Sequence, residues 1–228
     1  MSLTKQEQPS KFLKWNVIAP SPLTGYLKTP AIRTHGGTLS EDADATIVLQ
    51  REIHVCEFLR QHPHPNICAY QGVVLGHRNY FQGLAFDKYE MDFHTLVAEG
   101  HMFSANKCLS DIEAGMDHLH SLGIVHCDIK PRNIFVSSSY DHFVIGDFDS
   151  CYRKGAFMDQ KKGTRGWTLR RFVYANREND FHGLSIIRYW LEHKGWGCPV
   201  EGKEYIDTER ISAFLGEARD ECVALESA

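Results

Sequence analysis

The sequence predicts an α+β fold in two lobes, and three observations carry that prediction. The first 90 residues mix short strand patterns with a single helix. From residue 91 onward the chain is mainly helical, with one small hairpin. Between the two lies a polar stretch, Asp87–Asp92, that reads as a hinge. The expected division is therefore 1–90 for the smaller unit and 91–228 for the larger.

The elements follow in order. Residues 1–50 are weakly patterned and hold Pro9, Pro20, Pro22, Pro30 and the turn signal Gly36-Gly37. A short strand is expected around Gly25–Thr29. Residues 44–61 predict a helix in which Ile47, Val48, Val55, Phe58 and Leu59 share one side. It should end before Pro63 and Pro65, since the residue preceding a proline is driven out of the helical region. Residues 67–75 and 80–89 read as strands joined by a turn over Gly76–Asn79. A helix over 105–122 follows, with Ser104 as N-cap, an apolar stripe of Leu109, Ile112, Met116 and Leu119, and Gly123 as the stop. Two short strands, in NIFVSSS and HFVIGDF, flank a polar turn at Ser138–Asp141. A helix over 180–194 buries Leu184, Ile187 and Leu191, and 207–225 predicts one more.

Composition narrows the function. The 228 residues are 43% apolar and 24% charged, ordinary for a globular chain. A formal charge of −4 argues against a protein held to nucleic acid mainly by phosphate contacts. No stretch of about 18 consecutive apolar residues occurs, so no membrane helix is expected. The N-terminus lacks the apolar stretch of a secretory signal. The seven cysteines are odd in number and form no C-x-x-C pair, which suits a reduced, intracellular, cytoplasmic protein. His62, His64, His118 and His120 lack cysteine or carboxylate neighbours at zinc-ligand spacing.

The chemistry concentrates in IVHCDIKPRN, residues 124–133. Asp128 is followed by Lys130 and Asn133, then by an apolar strand. Asp147 stands at the end of the next strand, in GDFDS. Moving a phosphoryl group between oxygens requires charge neutralisation and a positioned acceptor. An aspartate can accept a hydroxyl proton, and a lysine can steady the transferred phosphate. An asparagine and a second aspartate are hard oxygen ligands of the kind Mg²⁺ takes. A hairpin would bring Asn133 and Asp147 to one rim.

These residues resemble the protein-kinase family. HCDIKPRN looks like its catalytic loop and Asp147-Phe148-Asp149 like its metal-binding D-F-G. Lys130, two positions after the aspartate, is typical of the serine/threonine class. LHSLGIVH, GTRGW at 163–167 and Asp180 in NDFHGLS fit the family's order, as does Glu52 in REIHVCEFL followed by HPNI. The resemblance covers roughly residues 45 to 195. It implies a two-lobed kinase-like fold, with Asp128 as catalytic base and Lys130 on the transferred phosphate. It further implies Asn133 and Asp147 as Mg²⁺ ligands, Lys28 in YLKTP as the ATP-binding lysine paired with Glu52, and Asp87–Tyr89 as the segment that bonds adenine through its backbone. ATP and Mg²⁺ are the implied cofactors and a protein the implied substrate, with no nucleic acid and no membrane; the oligomeric state is left open.

The sequence also departs from the family. The G-x-G-x-x-G loop is missing, and only Gly25 precedes Lys28. A full pair of strands is not evident there, so the smaller lobe reads as truncated. Cys127 replaces the arginine that meets a phosphorylated activation segment, so activity is expected without that switch. Asp149 replaces the glycine of D-F-G. Leu169-Arg170-Arg171 stand near the place of A-P-E. The larger lobe reads as shortened, with 34 residues after 194. Three readings stay open: a serine/threonine protein kinase, a pseudokinase that works by binding, and a small-molecule kinase of the aminoglycoside or choline type. Lys130 and GTRGW favour the protein-kinase branch.

Overall fold

The computed structural model describes residues 16–18, 25–29 and 39–192, apart from 165 and 170. The helix expected over 207–225 lies outside the described residues. Strands β1 (Val17–Ile18), β2 (Tyr26–Lys28), β3 (Tyr70–Leu75) and β4 (Phe81–Phe86) form one sheet in the order β1-β3-β4-β2. β3 and β4 are an antiparallel pair, and β2 lies antiparallel to β4 with Lys28 opposite Leu84. The turn between β3 and β4 is tight, with Arg78 and Asn79 both at positive φ. The strand expected around Gly25–Thr29 is β2, and the structure adds β1 before it. β1 does not flank β2 but runs parallel to β3 on the opposite edge, Val17 beside Val73.

Helix α1 (Leu39–Arg60) packs on this sheet. It begins earlier than expected, and of the expected inward side Leu59 is buried and Val55 and Phe58 pack partly against the core. Ile53, Cys56 and Leu59 are buried, whereas Ile47 is 46% exposed. Two carboxylates, Glu52 and Glu57, share the buried face and interrupt its apolar pattern. Buried carboxylates need partners. Glu57 accepts from the Asn16 backbone N–H at 2.8 Å, the Tyr70 hydroxyl at 3.1 Å and Arg60 at 3.1 Å. The β1 edge strand is thereby tied to both β3 and α1.

The chain then forms β5 (Met91–Asp92), α2 (Phe93–Ala98), α3 (Ala105–Ser121), β6 (Ile124–Val125), β7 (Ile134–Val136), β8 (Phe143–Ile145), β9 (Tyr152–Arg153) and α4 (Arg177–Glu192). Asp92 caps α2 through the Thr95 N–H at 2.9 Å, and Ser104 caps α3 through the Lys107 N–H at 3.3 Å. Ile112, Met116 and Leu119 of the expected α3 stripe are buried; Leu109 is only partly so. Gly123, at φ +73°, ends the helix in the left-handed region. β7 and β8 form the expected hairpin, with β5 on its free edge. Phe93 sits at the middle of the aromatic core, edge-on to Phe103, Phe143 and Trp190 at 5.2–5.6 Å. Helix α4 starts three residues before the expected position. Its Gly183 lies against the loop after β6, where a Cβ would fall 2.4 Å from the Ile129 carbonyl oxygen. No helix among the described residues is long and apolar enough to cross a membrane.

Candidate active site

The loop between β6 and β7 carries three of the sequence-predicted residues, and its shape is set from below by Asp180. That carboxylate is fully buried at the start of α4. It accepts from the backbone N–H groups of His126 (2.9 Å) and Cys127 (2.7 Å) and from His120 Nε2 (2.8 Å). Cys127 is held at φ +64°, a costly conformation for a residue with a Cβ, and these bonds fix it there. His126 reaches across to the Gly146 carbonyl at 3.0 Å, and the Gly146 N–H returns a bond to the Asn133 carbonyl at 2.9 Å. The loop and the residue preceding Asp147 are thus stitched together.

Asp128, Lys130 and Asn133 converge. Asn133 Nδ2 donates to the Asp128 carbonyl (2.9 Å) and carboxylate (3.2 Å), and Lys130 Nζ lies 3.2 Å from the same carboxylate. Thr164 closes the group. Its N–H donates to Asp128 Oδ1 at 2.8 Å, its hydroxyl to Oδ2 at 3.1 Å, and Lys130 donates to that hydroxyl at 2.5 Å. The Asp128 side chain is 0% exposed as a result. Oδ2 meets three donors, Asn133, Lys130 and the Thr164 hydroxyl, and Oδ1 meets the Thr164 N–H.

A second cluster lies beside the first. Lys28 on β2 bonds Glu52 on α1 at 2.6 Å and also bonds Asp147. Burial by itself would lower the Lys28 pKa, but the carboxylates of Asp147, Glu52 and Asp149 outweigh it and hold the ammonium above its ordinary range. Burial raises the Glu52 pKa against the pull of Lys28. At Asp147, Lys28 and then Lys161 overcome burial and keep the carboxyl below its usual range. Asp147 itself adopts φ +62°, and the buried Phe148 that follows packs near His126 with ring centroids 6.0 Å apart. Asp87 and Tyr89 lie apart from these clusters, just after β4. The Asp87 N–H bonds the Ala69 carbonyl at 2.9 Å, and the Tyr89 ring stacks near Phe135.

Three residues that sequence reasoning passed over complete the site. Lys161 holds the Asp149 carboxylate at 2.5 and 2.6 Å. The extra carboxylate at 149 is therefore neutralised within the protein. Arg51, next to Glu52, donates to the Asp149 carbonyl at 2.9 Å, stacks 3.9 Å over the Tyr152 ring and stands 4.0 Å from Asp159. Thr164 caps Asp128 as described. The only signals in the sequence were adjacency to Glu52 for Arg51 and membership of GTRGW for Thr164; Lys161 had none.

The donor set suits a divalent cation and a polyphosphate. Asp147 and Asn133 carry hard oxygens on adjoining segments, with Lys28 bonded to Asp147 and Lys130 beside Asp128. The protein kinase domain family matches residues 37–194. Among curated proteins, the chain is 34% identical over 96 residues to the MAPK/MAK/MRK overlapping kinase of Mus musculus, covering 40% of this chain and 22% of that one. It is 27% identical over 150 residues to the serine/threonine-protein kinase ppk6 of Schizosaccharomyces pombe, covering 63% and 19%. It is 30% identical over 165 residues to mitogen-activated protein kinase 4 of Oryza sativa subsp. japonica, covering 68% and 42%. The matched part thus spans less than half the length of each of these relatives. With more than half of its residues matched by the family, and in the α+β fold described, this chain belongs to the protein kinase domain family.

Proposed function

We propose that the chain transfers the γ-phosphoryl group of ATP to serine or threonine hydroxyls of a protein, and that it does so without a phosphorylated activation segment. The observation that supports this most is the chain of contacts Glu52–Lys28–Asp147 set beside the Asp128–Lys130–Asn133 loop. In this reading Lys28, oriented by Glu52, holds the nucleotide phosphates, and the backbone of Asp87–Tyr89 meets the adenine. Bound Mg²⁺ would neutralise charge on the triphosphate, with Asp147 and Asn133 as its protein ligands. The acceptor hydroxyl gives its proton to Asp128 while its oxygen takes the phosphoryl group. The bond to the ADP oxygen breaks, and the electron pair leaves with ADP. Lys130 steadies the group in transit. In the same reading this chemistry lies between the units 1–90 and 91–228, and an intracellular setting supplies the ATP.

Independence from phosphorylation rests on Arg51. Cys127 removes the usual loop arginine, and Arg51 and Lys161 hold the segment after Asp147 through protein groups alone. A binding-only pseudokinase is the second reading. The fully buried Asp128 side chain and the lack of a G-x-G-x-x-G loop favour it.

The test is nucleotide binding read by unfolding. Mg·ATP at about 100 times its Kd adds about 2.7 kcal/mol, a Tm rise of about 5–10 °C for a chain of this size. Asp147→Asn should lose the Mg²⁺-dependent part. No shift at millimolar Mg·ATP would contradict the enzyme reading.

A further inference from the structure

The region after Asp149 carries a charge out of keeping with the rest of the chain. Residues 150–177 hold eight lysines or arginines and one aspartate, a local net charge of +7 in a chain whose formal charge is −4. The remainder therefore carries a net charge of −11, and this segment is the counterpart to it. In the structure that segment is fastened rather than loose. β9 pairs with β6, Ile124 opposite Arg153. Residues 155–158 then run antiparallel to 173–175, with Gly155 N–H to the Ala175 carbonyl at 2.7 Å, Ala175 N–H to the Ala156 carbonyl at 2.9 Å and Met158 N–H to the Val173 carbonyl at 2.9 Å. Phe157 and Tyr174 meet edge-on across this pairing, both more than half exposed.

The six of these cations that lie among the described residues divide into two sets. Lys161 is taken up by Asp149 inside the site. Arg153, Lys154, Lys162, Arg171 and Arg177 are exposed, and among the described residues none of the five forms an ion pair with a carboxylate. Two of them lie over aromatic faces instead, Lys162 near Phe157 at 5.5 Å and Arg171 near Phe172 at 5.9 Å. Unpaired cations on a fixed scaffold repel one another and gain when an anion is brought among them. This same segment includes Thr164, whose N–H and hydroxyl cap Asp128. A polypeptide that presents its hydroxyl to Asp128 therefore meets this segment at Thr164, two residues from Lys162.

From this we infer that the substrates are acidic segments: serine or threonine hydroxyls flanked by aspartate or glutamate. The inference rests on the kinase reading for the transfer step but not for the binding preference. Complementary charge raises the association rate and suppresses wrong partners, so it acts on selectivity more than on the chemical step.

The experiment compares three matched serine peptides with acidic, neutral and basic flanks. Each is measured for phosphate transfer and, separately, for binding by fluorescence anisotropy. The wild-type chain should favour the acidic over the basic peptide by about tenfold or more, and the preference should shrink as salt rises from about 50 to about 500 mM. Lys162→Glu with Arg171→Glu should cut the acidic-peptide response by about tenfold and leave the neutral one unchanged. Equal responses to all three peptides, or a basic preference, would overturn the inference while leaving the enzyme reading standing. Tighter binding of an oligonucleotide or of anionic vesicles than of the acidic peptide would overturn it too. If no peptide is phosphorylated, the enzyme reading fails, and anisotropy alone then decides the charge preference.

Discussion

Arg51 is the residue whose loss should reveal how the segment after Asp147 is held. Arg51→Ala removes three contacts at once. The bond to the Asp149 carbonyl, at 2.9 Å from a charged donor, is worth about 1.5–2 kcal/mol. Stacking over Tyr152 at 3.9 Å on a largely buried ring contributes about 1 kcal/mol. The approach to Asp159 is 4.0 Å and its partner is exposed, so it contributes close to nothing. Against these stands the Arg51 Nε, buried without a partner, which takes back about 1 kcal/mol. The expected net loss is about 2 kcal/mol. Urea unfolding followed by tryptophan fluorescence measures that loss, and hydrogen exchange over residues 149–164 locates it. Arg51→Lys should recover only part, because the planar stack and the donor geometry are both lost. A loss under about 0.5 kcal/mol, the size of an ordinary surface change, with exchange over 149–164 unaltered, would refute the idea that Arg51 stands in for the missing loop arginine.

Two further outcomes test how the surrounding structure supports the site. Gly183→Ala places a Cβ 2.4 Å from the Ile129 carbonyl, a backbone atom that cannot swing aside; stability should fall by about 2–3 kcal/mol, and thermal unfolding reads the loss. His182 is buried against Phe172, and burial followed by Arg171 lowers its pKa to about 4. Because the folded state resists the proton, its contribution is intact above the unfolded pKa of about 6.5 and falls away as pH drops toward 4. Wild type should lose about 1–2 kcal/mol from this group between about pH 7 and pH 5, and His182→Phe should not; equal urea midpoint shifts in the two proteins would contradict that.

What the sequence disclosed, it disclosed where pattern is local. The α3 stripe of Ile112, Met116 and Leu119 repeats at helical spacing, and Ser104 and Gly123 mark its ends. The nearness of the Asp128–Asn133 loop to the segment ending at Asp147 was equally legible, since one hairpin joins them. Lys28 and Glu52 were paired from the resemblance, and the structure brings them to 2.6 Å. The failures share a different physics. The inward face of α1 was legible only in part: Leu59, Val55 and Phe58 pack inward, but Ile53 and Cys56 were masked by Glu52 and Glu57, because a buried carboxylate looks like a surface one until its partners are known. β1 was missed because its partner, β3, is far away in the chain and the strand is only two residues long. α2, six residues, is too short to show a helical period. Lys161 and Arg51 act on the carboxylate and backbone of Asp149 from distant positions, which no spacing rule connects.

The most direct measurement is transfer of labelled phosphate from ATP to the acidic, neutral and basic serine peptides by the wild-type chain and by Asp128→Asn, with Mg·ATP binding to both checked by thermal shift. The account predicts turnover in the wild type, its loss in the variant by a factor of about 100 or more, and the same nucleotide binding in both. Undiminished transfer by the variant, or none by a wild-type chain that binds Mg·ATP, would contradict it.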